Sequence, residues 1–214
     1  HNGVLFLDEL PEFKRNVLEV MRQPLEDRMI SVSRARFTVD YPSKFMLVAS
    51  MNPCPCGYYN HPEKSCACSP GTVKKYLNKI SGPLLDRIDI HIEVVPVPFR
   101  QLAELQEAES STAIRDRVVK AAAIQEKRFA GIPGVYANAH MNASHMKKFC
   151  VLNDTCRAIL KNAMERLGLS ARAYDRILKV SRTIADLDDA PYIEPAHVAE
   201  AVNYRNLDRE GWAG

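Results

Sequence analysis

Apolar residues recur along this chain in two rhythms: short runs and alternations in its first part, then a helical three-to-four spacing. Val4, Leu5, Phe6 and Leu7 form an unbroken run, too short for an ordinary helix and suited to a buried parallel strand. Phe45 to Ala49 repeats that pattern and predicts a second buried strand. Between them Phe13, Val17, Leu18, Met21 and Leu25 form a helical stripe; Pro11 suits the first turn of that helix and Pro24 marks its end. From Met29 to Asp40 apolar and polar residues alternate around Arg34-Ala35-Arg36, which predicts a β-hairpin with a basic tip. A short amphipathic helix follows over Gly71 to Ile80, and a further strand is expected over His91 to Val95.

Pro96, Pro98 and Phe99 make a stiff connector and place a domain boundary there, giving 1–96 and 97–214. Beyond it helices are expected over Glu107 to Arg128, Ser144 to Phe149, Asp154 to Leu167, Ala171 to Leu187 and Pro195 to Tyr204. Asp154 and Ser170 are candidate N-caps, Gly168 a C-cap and Pro195 a first-turn proline. The predicted class is α/β plus α.

With 214 residues, 46% of them hydrophobic, the chain is long enough for a substantial core. The net charge of +3 is too small to announce a nucleic-acid partner, so such a claim rests on where the basic residues sit. No apolar run reaches the length of a membrane span and no leader precedes the first strand, so the expected protein has no membrane partner and is cytoplasmic. The chain opens at His1 directly before a strand, and further residues upstream are expected.

Chemistry gathers at the ends of the two predicted core strands. Asp8 and Glu9 follow the first at once; at the carboxyl edge of an open α/β sheet they are placed to hold a metal-bound phosphate and a water. The plainer reading is a strand that ends in two solvated acids. Asn52, after the second strand, can hydrogen-bond a γ-phosphate or the attacking water, or simply terminate the strand before Pro53. Arg34 and Arg36 offer donors to a phosphate backbone, or serve as solvated turn residues. Arg87, between acids and apolar residues, is either salt-bridged in place or aimed at a neighbour as an arginine finger. Arg172 works against the dipole at the start of its helix, which points to a ligand or an acidic partner, with Arg176 one turn on as the fallback.

Four of the six cysteines fall between Cys54 and Cys68, in the spacing C-x-C-x₉-C-x-C within a segment spanning 53–70. Cys54, Cys56, Cys66 and Cys68 can close a tetrahedral structural Zn²⁺ site, with His61 as a substitute ligand; free thiols are the alternative. Four sulfurs leave no open position, so the site is not catalytic.

Taken in order, Val4-Leu5-Phe6-Leu7-Asp8-Glu9, the hairpin, Ala49-Ser50-Met51-Asn52-Pro53-Cys54-Pro55-Cys56-Gly57, Leu85-Asp86-Arg87-Ile88-Asp89 and Leu169-Ser170-Ala171-Arg172 resemble the AAA+ magnesium-chelatase-like proteins. The cysteine segment and the ending Tyr204-Arg205-Asn206-Leu207-Asp208-Arg209 are most similar to the bacterial ComM/YifB subfamily, associated with competence and DNA recombination. The resemblance implies a partial P-loop ATPase core followed by an all-α lid, working with ATP and Mg²⁺ as a homo-oligomer, a hexameric ring. By carry-over Asp8 (Mg²⁺) and Glu9 are the Walker B pair, Asn52 is sensor 1, Arg87 the arginine finger and Arg172 sensor 2. Residues 29–40 correspond to a pore hairpin, and the implied work is ATP-driven branch migration on DNA. No G-x-x-x-x-G-K-[ST] occurs in the chain, so these 214 residues alone are expected to be inactive. Two alternatives are the motor subunit of a magnesium-chelatase-type complex and a non-catalytic, zinc-stabilised interaction module.

Overall fold

Val4–Leu7 (β1) and Met46–Ala49 (β4) pair in parallel, with Val4 opposite Met46 and Leu7 opposite Ala49. The computed structural model describes residues 1–97, 108–205 and Leu207. Pro98, Phe99, Glu107, Asn206, Asp208 and Arg209, used above for the connector, the first long helix and the chain's ending, lie outside them. The chain divides into two compact units, one formed by His1–Ile88 and one that starts at Asp89.

In the first unit, Met29–Arg34 (β2) and Phe37–Pro42 (β3) form the antiparallel hairpin, closed by Ala35 and Arg36. The single helix expected through Leu25 is instead three pieces. Leu10–Glu12 is one 3₁₀ turn, Phe13 is extended, and Arg15–Val20 (α1) meets Arg22–Asp27 (α2) at Met21. Pro24 does not end the helix; it lies in the first turn of α2, where a missing N–H costs no intrahelical bond. Pro70–Leu77 (α3) and Gly82–Leu85 (α4) are capped by Ser69 and Ser81, whose side chains accept from Thr72 and Leu84 N–H. One core gathers Leu10, Leu18, Ile80, Leu84 and Leu85; a second gathers Cys54, Val73, Tyr76 and Leu77, and Met51 packs against both.

Two expectations fail here. The core strands are not buried: Val4, Phe6, Met46 and Val48 share one face and are exposed. Among the described residues this sheet has two strands, and alternation leaves one of its faces uncovered. His91 to Val95 is not a strand; with no ladder partner among the described residues, Ile92, Val94 and Val95 stay exposed.

The second unit is helical throughout its described elements: Ser111–Phe129 (α5), a 3₁₀ turn at Asn138–His140, Ala143–Phe149 (α6), Asp154–Leu167 (α7), Ala171–Leu187 (α8) and Pro195–Asn203 (α9). The N-cap of α7 is Asn153 rather than Asp154, its side chain accepting from Cys156 N–H. Ser170 caps α8, and Gly168 ends α7 at a φ of 60° that suits glycine. Helix α8 touches α5, α6 and α9, and its Ala173, Ile177, Ile184 and Ala185 fill the centre.

Asp186 is the polar centre of this unit. It is fully buried and accepts from Arg128, from Asn138 Nδ2 at 2.8 Å and from Arg182 Nε at 3.1 Å. Arg182 also donates to the carbonyls of Ala190 and Pro191 at 2.6 and 3.0 Å, which fixes the turn before α9. Burial pulls the Arg182 pKa below its ordinary value, against the upward pull of Asp186.

Candidate functional site

The parallel register places the carboxyl ends of β1 and β4 side by side. Ser50 N–H donates to Leu7 C=O at 3.0 Å and Leu10 N–H to Ser50 C=O at 2.9 Å, so the two segments stay locked together as they leave the sheet. Asp8 Oδ1 accepts from the Ser50 hydroxyl and, at 3.0 Å, from Glu9 N–H. Glu9 sits at a φ of 50°, a left-handed conformation that costs a non-glycine residue on the order of 1 kcal/mol or more and collects at functional sites. Both carboxylates are exposed, as is Asn52, two residues past Ser50.

Tyr76 braces the segment that leaves β4. Its ring is buried in the second core, and its hydroxyl bonds the Asn52 backbone. Burial foremost, then the charges of Glu12 and Glu9, raises the Tyr76 pKa above its ordinary value. Neither Ser50 nor Tyr76 is marked as functional by the sequence pattern. For Ser50 the available signal was its place directly after an apolar run beside an acid-tipped one.

Arg87 follows α4 and is salt-bridged in place, the first of its two sequence alternatives: it pairs with Glu26 and donates to Pro83 C=O at 2.6 Å. Arg172 stands exposed in the first turn of α8, in the helical unit, where Arg176 pairs with Asp89. Arg34 and Arg36 are exposed at the hairpin tip, Arg34 opposite Phe37.

Cys54, Cys56, Cys66 and Cys68 bring their sulfurs within 4.8 Å of one another. Three of the spacings are 3.3, 3.5 and 3.6 Å, far beyond a disulfide bond and near the ~3.8 Å edge of a tetrahedron with metal–sulfur bonds of ~2.3 Å. Backbone N–H groups of Tyr58 and Ala67 point at Cys56 and lower its thiol to about 6. Cys66 also accepts from the backbone, at Cys68, yet burial and the neighbouring sulfurs raise it to about 12. Such crowded sulfurs cannot all ionise without a cation, and a bound cation removes that conflict. The donor set therefore fits a metal such as zinc. His61 lies outside this group of four; its Nδ1 accepts from Glu63 and Lys64 N–H at 3.1 Å.

Residues 1–102 match the family model described as magnesium chelatase, subunit ChlI, and residues 108–205 match that of the ChlI C-terminal part. The chain belongs to the magnesium-chelatase-like family. It is 46% identical over 209 residues to competence protein ComM of Haemophilus influenzae, across 97% of this chain and 40% of that protein. It is 43% identical over 212 residues to the uncharacterised protein YifB of Escherichia coli, across 98% of this chain and again 40% of the relative. YifB of Salmonella typhimurium is 42% identical with the same coverage. The chain thus spans about 40% of the length of these relatives. As a magnesium-chelatase-like protein it carries a mixed α/β part followed by a helical part, and no helix among its described residues is long and apolar enough to cross a membrane.

Proposed function

We propose that this chain is the carboxyl-terminal part of an ATP-driven AAA+ motor that works in the bacterial cytoplasm as a homo-oligomeric, hexameric ring on DNA, in branch migration and recombination. The observation that carries the reading is the shared strand edge, where Asp8 and Glu9 leave β1 beside Ser50 and Asn52 leaving β4. Ligands bind at such carboxyl edges in open α/β sheets, and the family supplies the ATPase context. Glu9 orients and polarises the attacking water, Asn52 hydrogen-bonds the γ-phosphate, Arg172 contacts the phosphates from the lid, and Arg87 offers its charge to a neighbouring protomer's nucleotide. Mg²⁺, when held by Asp8, supplies neutralisation of phosphate charge. The P-loop belongs to residues upstream, and the core is the part of a P-loop fold from Walker B onward.

DNA as the track is supported by the relative named for competence and by the exposed Arg34 and Arg36 at the tip of the hairpin. Zn²⁺ is the metal best suited to four thiolates, in a structural role. The test is ATP turnover by the full-length protein. Glu9→Gln lowers kcat by about 10²-fold or more, DNA stimulates turnover at low salt, and the Arg34→Ala/Arg36→Ala pair weakens that stimulation. The 214-residue chain alone hydrolyses no ATP. Turnover indifferent to DNA at low salt removes DNA as substrate. The family description itself favours a second reading, the motor of a magnesium-chelatase-type complex. Co-purification with a porphyrin-binding partner would select it.

A further inference from the structure

Arg87 is an unusual group to offer to a neighbour, because its side chain is only 7% exposed. One terminal nitrogen is held by Pro83 C=O and the other by the Glu26 carboxylate, while Nε is buried with no partner among the described residues. Glu26, near the end of α2, is 41% exposed and lines an open cleft of about 440 Å³ together with Glu19, Arg22, Asp27 and Arg87. Glu19, the other glutamate of the cleft, pairs with Arg22 at 2.8 Å through one oxygen, and Ser81 and Arg22 hold its carboxyl below the usual range. Glu26 is therefore the acid that balances Arg87.

A guanidinium stays charged at any working pH, so a desolvated one needs an anion at all times. Glu26 can turn toward water; Arg87 cannot be left bare. We propose that Glu26 is the resting counter-ion of Arg87, a positioning residue that competes with the neighbouring protomer's triphosphate for the guanidinium. This rests on reading Arg87 as the arginine finger. Formation of the composite site then exchanges a carboxylate for a more highly charged phosphate group. The apparent affinity for nucleotide is reduced by the fraction of time that Arg87 spends paired in its own protomer. Arg87 is thereby kept from acting where no triphosphate faces it.

The experiment uses the full-length protein, with ATP hydrolysis measured across a range of ATP concentrations and binding measured with a slowly hydrolysed ATP analogue. Glu26→Gln keeps the shape and one acceptor but removes the competing charge. It lowers the analogue Kd and the KM for ATP by about tenfold, with kcat unchanged. Glu26→Asp, which keeps the charge at shorter reach, gives an intermediate shift and serves if the glutamine variant folds poorly. Arg87→Ala lowers kcat by about 10³-fold, and Glu26→Gln adds nothing in that background. A Glu26→Gln variant that loses kcat at unchanged KM, or only thermal stability, overturns the competition. Full turnover by Arg87→Ala overturns the finger itself, whatever Glu26 does, so the two failures are told apart.

Discussion

Phe6 and Ile177 each sit inside the element that carries them, yet Phe6 is 59% exposed and Ile177 fully buried. The difference lies in what each element has to pack against. Helix α8 is touched by helices before and after it in sequence, so its apolar stripe is covered from several sides and even its charges, Arg182 and Asp186, are enclosed. The two-stranded sheet has Leu7 on one face against the Leu10–Leu18 core, while Val4, Phe6, Met46 and Val48 on the other face are exposed among the described residues. Stability in the helical unit comes from closure of its own core. In the α/β unit, cohesion is concentrated below the sheet edge, in two small cores that meet at Met51, one of them built around the cysteine cluster.

Metal removal probes that contrast hardest. Small structural zinc sites are worth on the order of 10 kcal/mol of apparent binding free energy at neutral pH. The α/β unit has little other apolar burial around Cys54, Val73, Tyr76 and Leu77. The purified protein is expected to hold about one zinc per chain by elemental analysis, since four thiolates complete one tetrahedral site. Chelation then lowers the unfolding transition of the α/β unit and leaves that of the helical unit in place. A zinc content near zero after expression with ample metal removes the site. Equal shifts of both transitions erase the contrast.

Next in size is Asp186→Ala. It leaves Arg128 and Arg182 without their shared carboxylate, and removing one partner of a buried charge network costs roughly 3–5 kcal/mol. Urea unfolding followed by far-ultraviolet circular dichroism should show the loss in the helical transition only. A change below about 1 kcal/mol would mean that the network is replaceable by water.

How much of this was legible in the sequence follows the range of the interactions. Helices α7 and α8 have the residue bounds expected from their apolar stripes, and Ser170 and Gly168 cap them as expected, because these are local signals; only the N-cap of α7 moved by one residue, to Asn153. The Asp186 network was not legible. Nothing local marks Arg182 and Asp186, four apart on a helix, as a buried pair, and Asn138 and Arg128, which complete the network, lie 48 and 58 positions from Asp186. The same holds at the candidate site. Asp8, Glu9 and Asn52 stand out because each ends an apolar run. Ser50 meets Asp8 across 42 positions and Glu26 meets Arg87 across 61, and neither pairing leaves a periodic trace. Strand burial was misjudged for a related reason: a run of four apolar residues specifies two faces to be covered, and cannot say whether one chain segment covers both.

The smallest expected effect is the most direct probe of the open face. Phe6→Ser removes a large apolar side chain, a change that costs a buried position roughly 3–5 kcal/mol. In this chain the ring is mostly in water beside Val48, so there is little burial to lose and no cavity to open. The expected change in unfolding free energy is below about 0.5 kcal/mol, as for surface substitutions away from special features. Solubility should rise, because exposed apolar patches promote association. Ile177→Ala in the same chain, although chemically milder, should cost about 2–5 kcal/mol. If Phe6→Ser proves as costly as Ile177→Ala, the face is covered in solution, by self-association or by a second surface. Concentration-dependent unfolding would then separate those two, since only association makes the transition depend on how much protein is present.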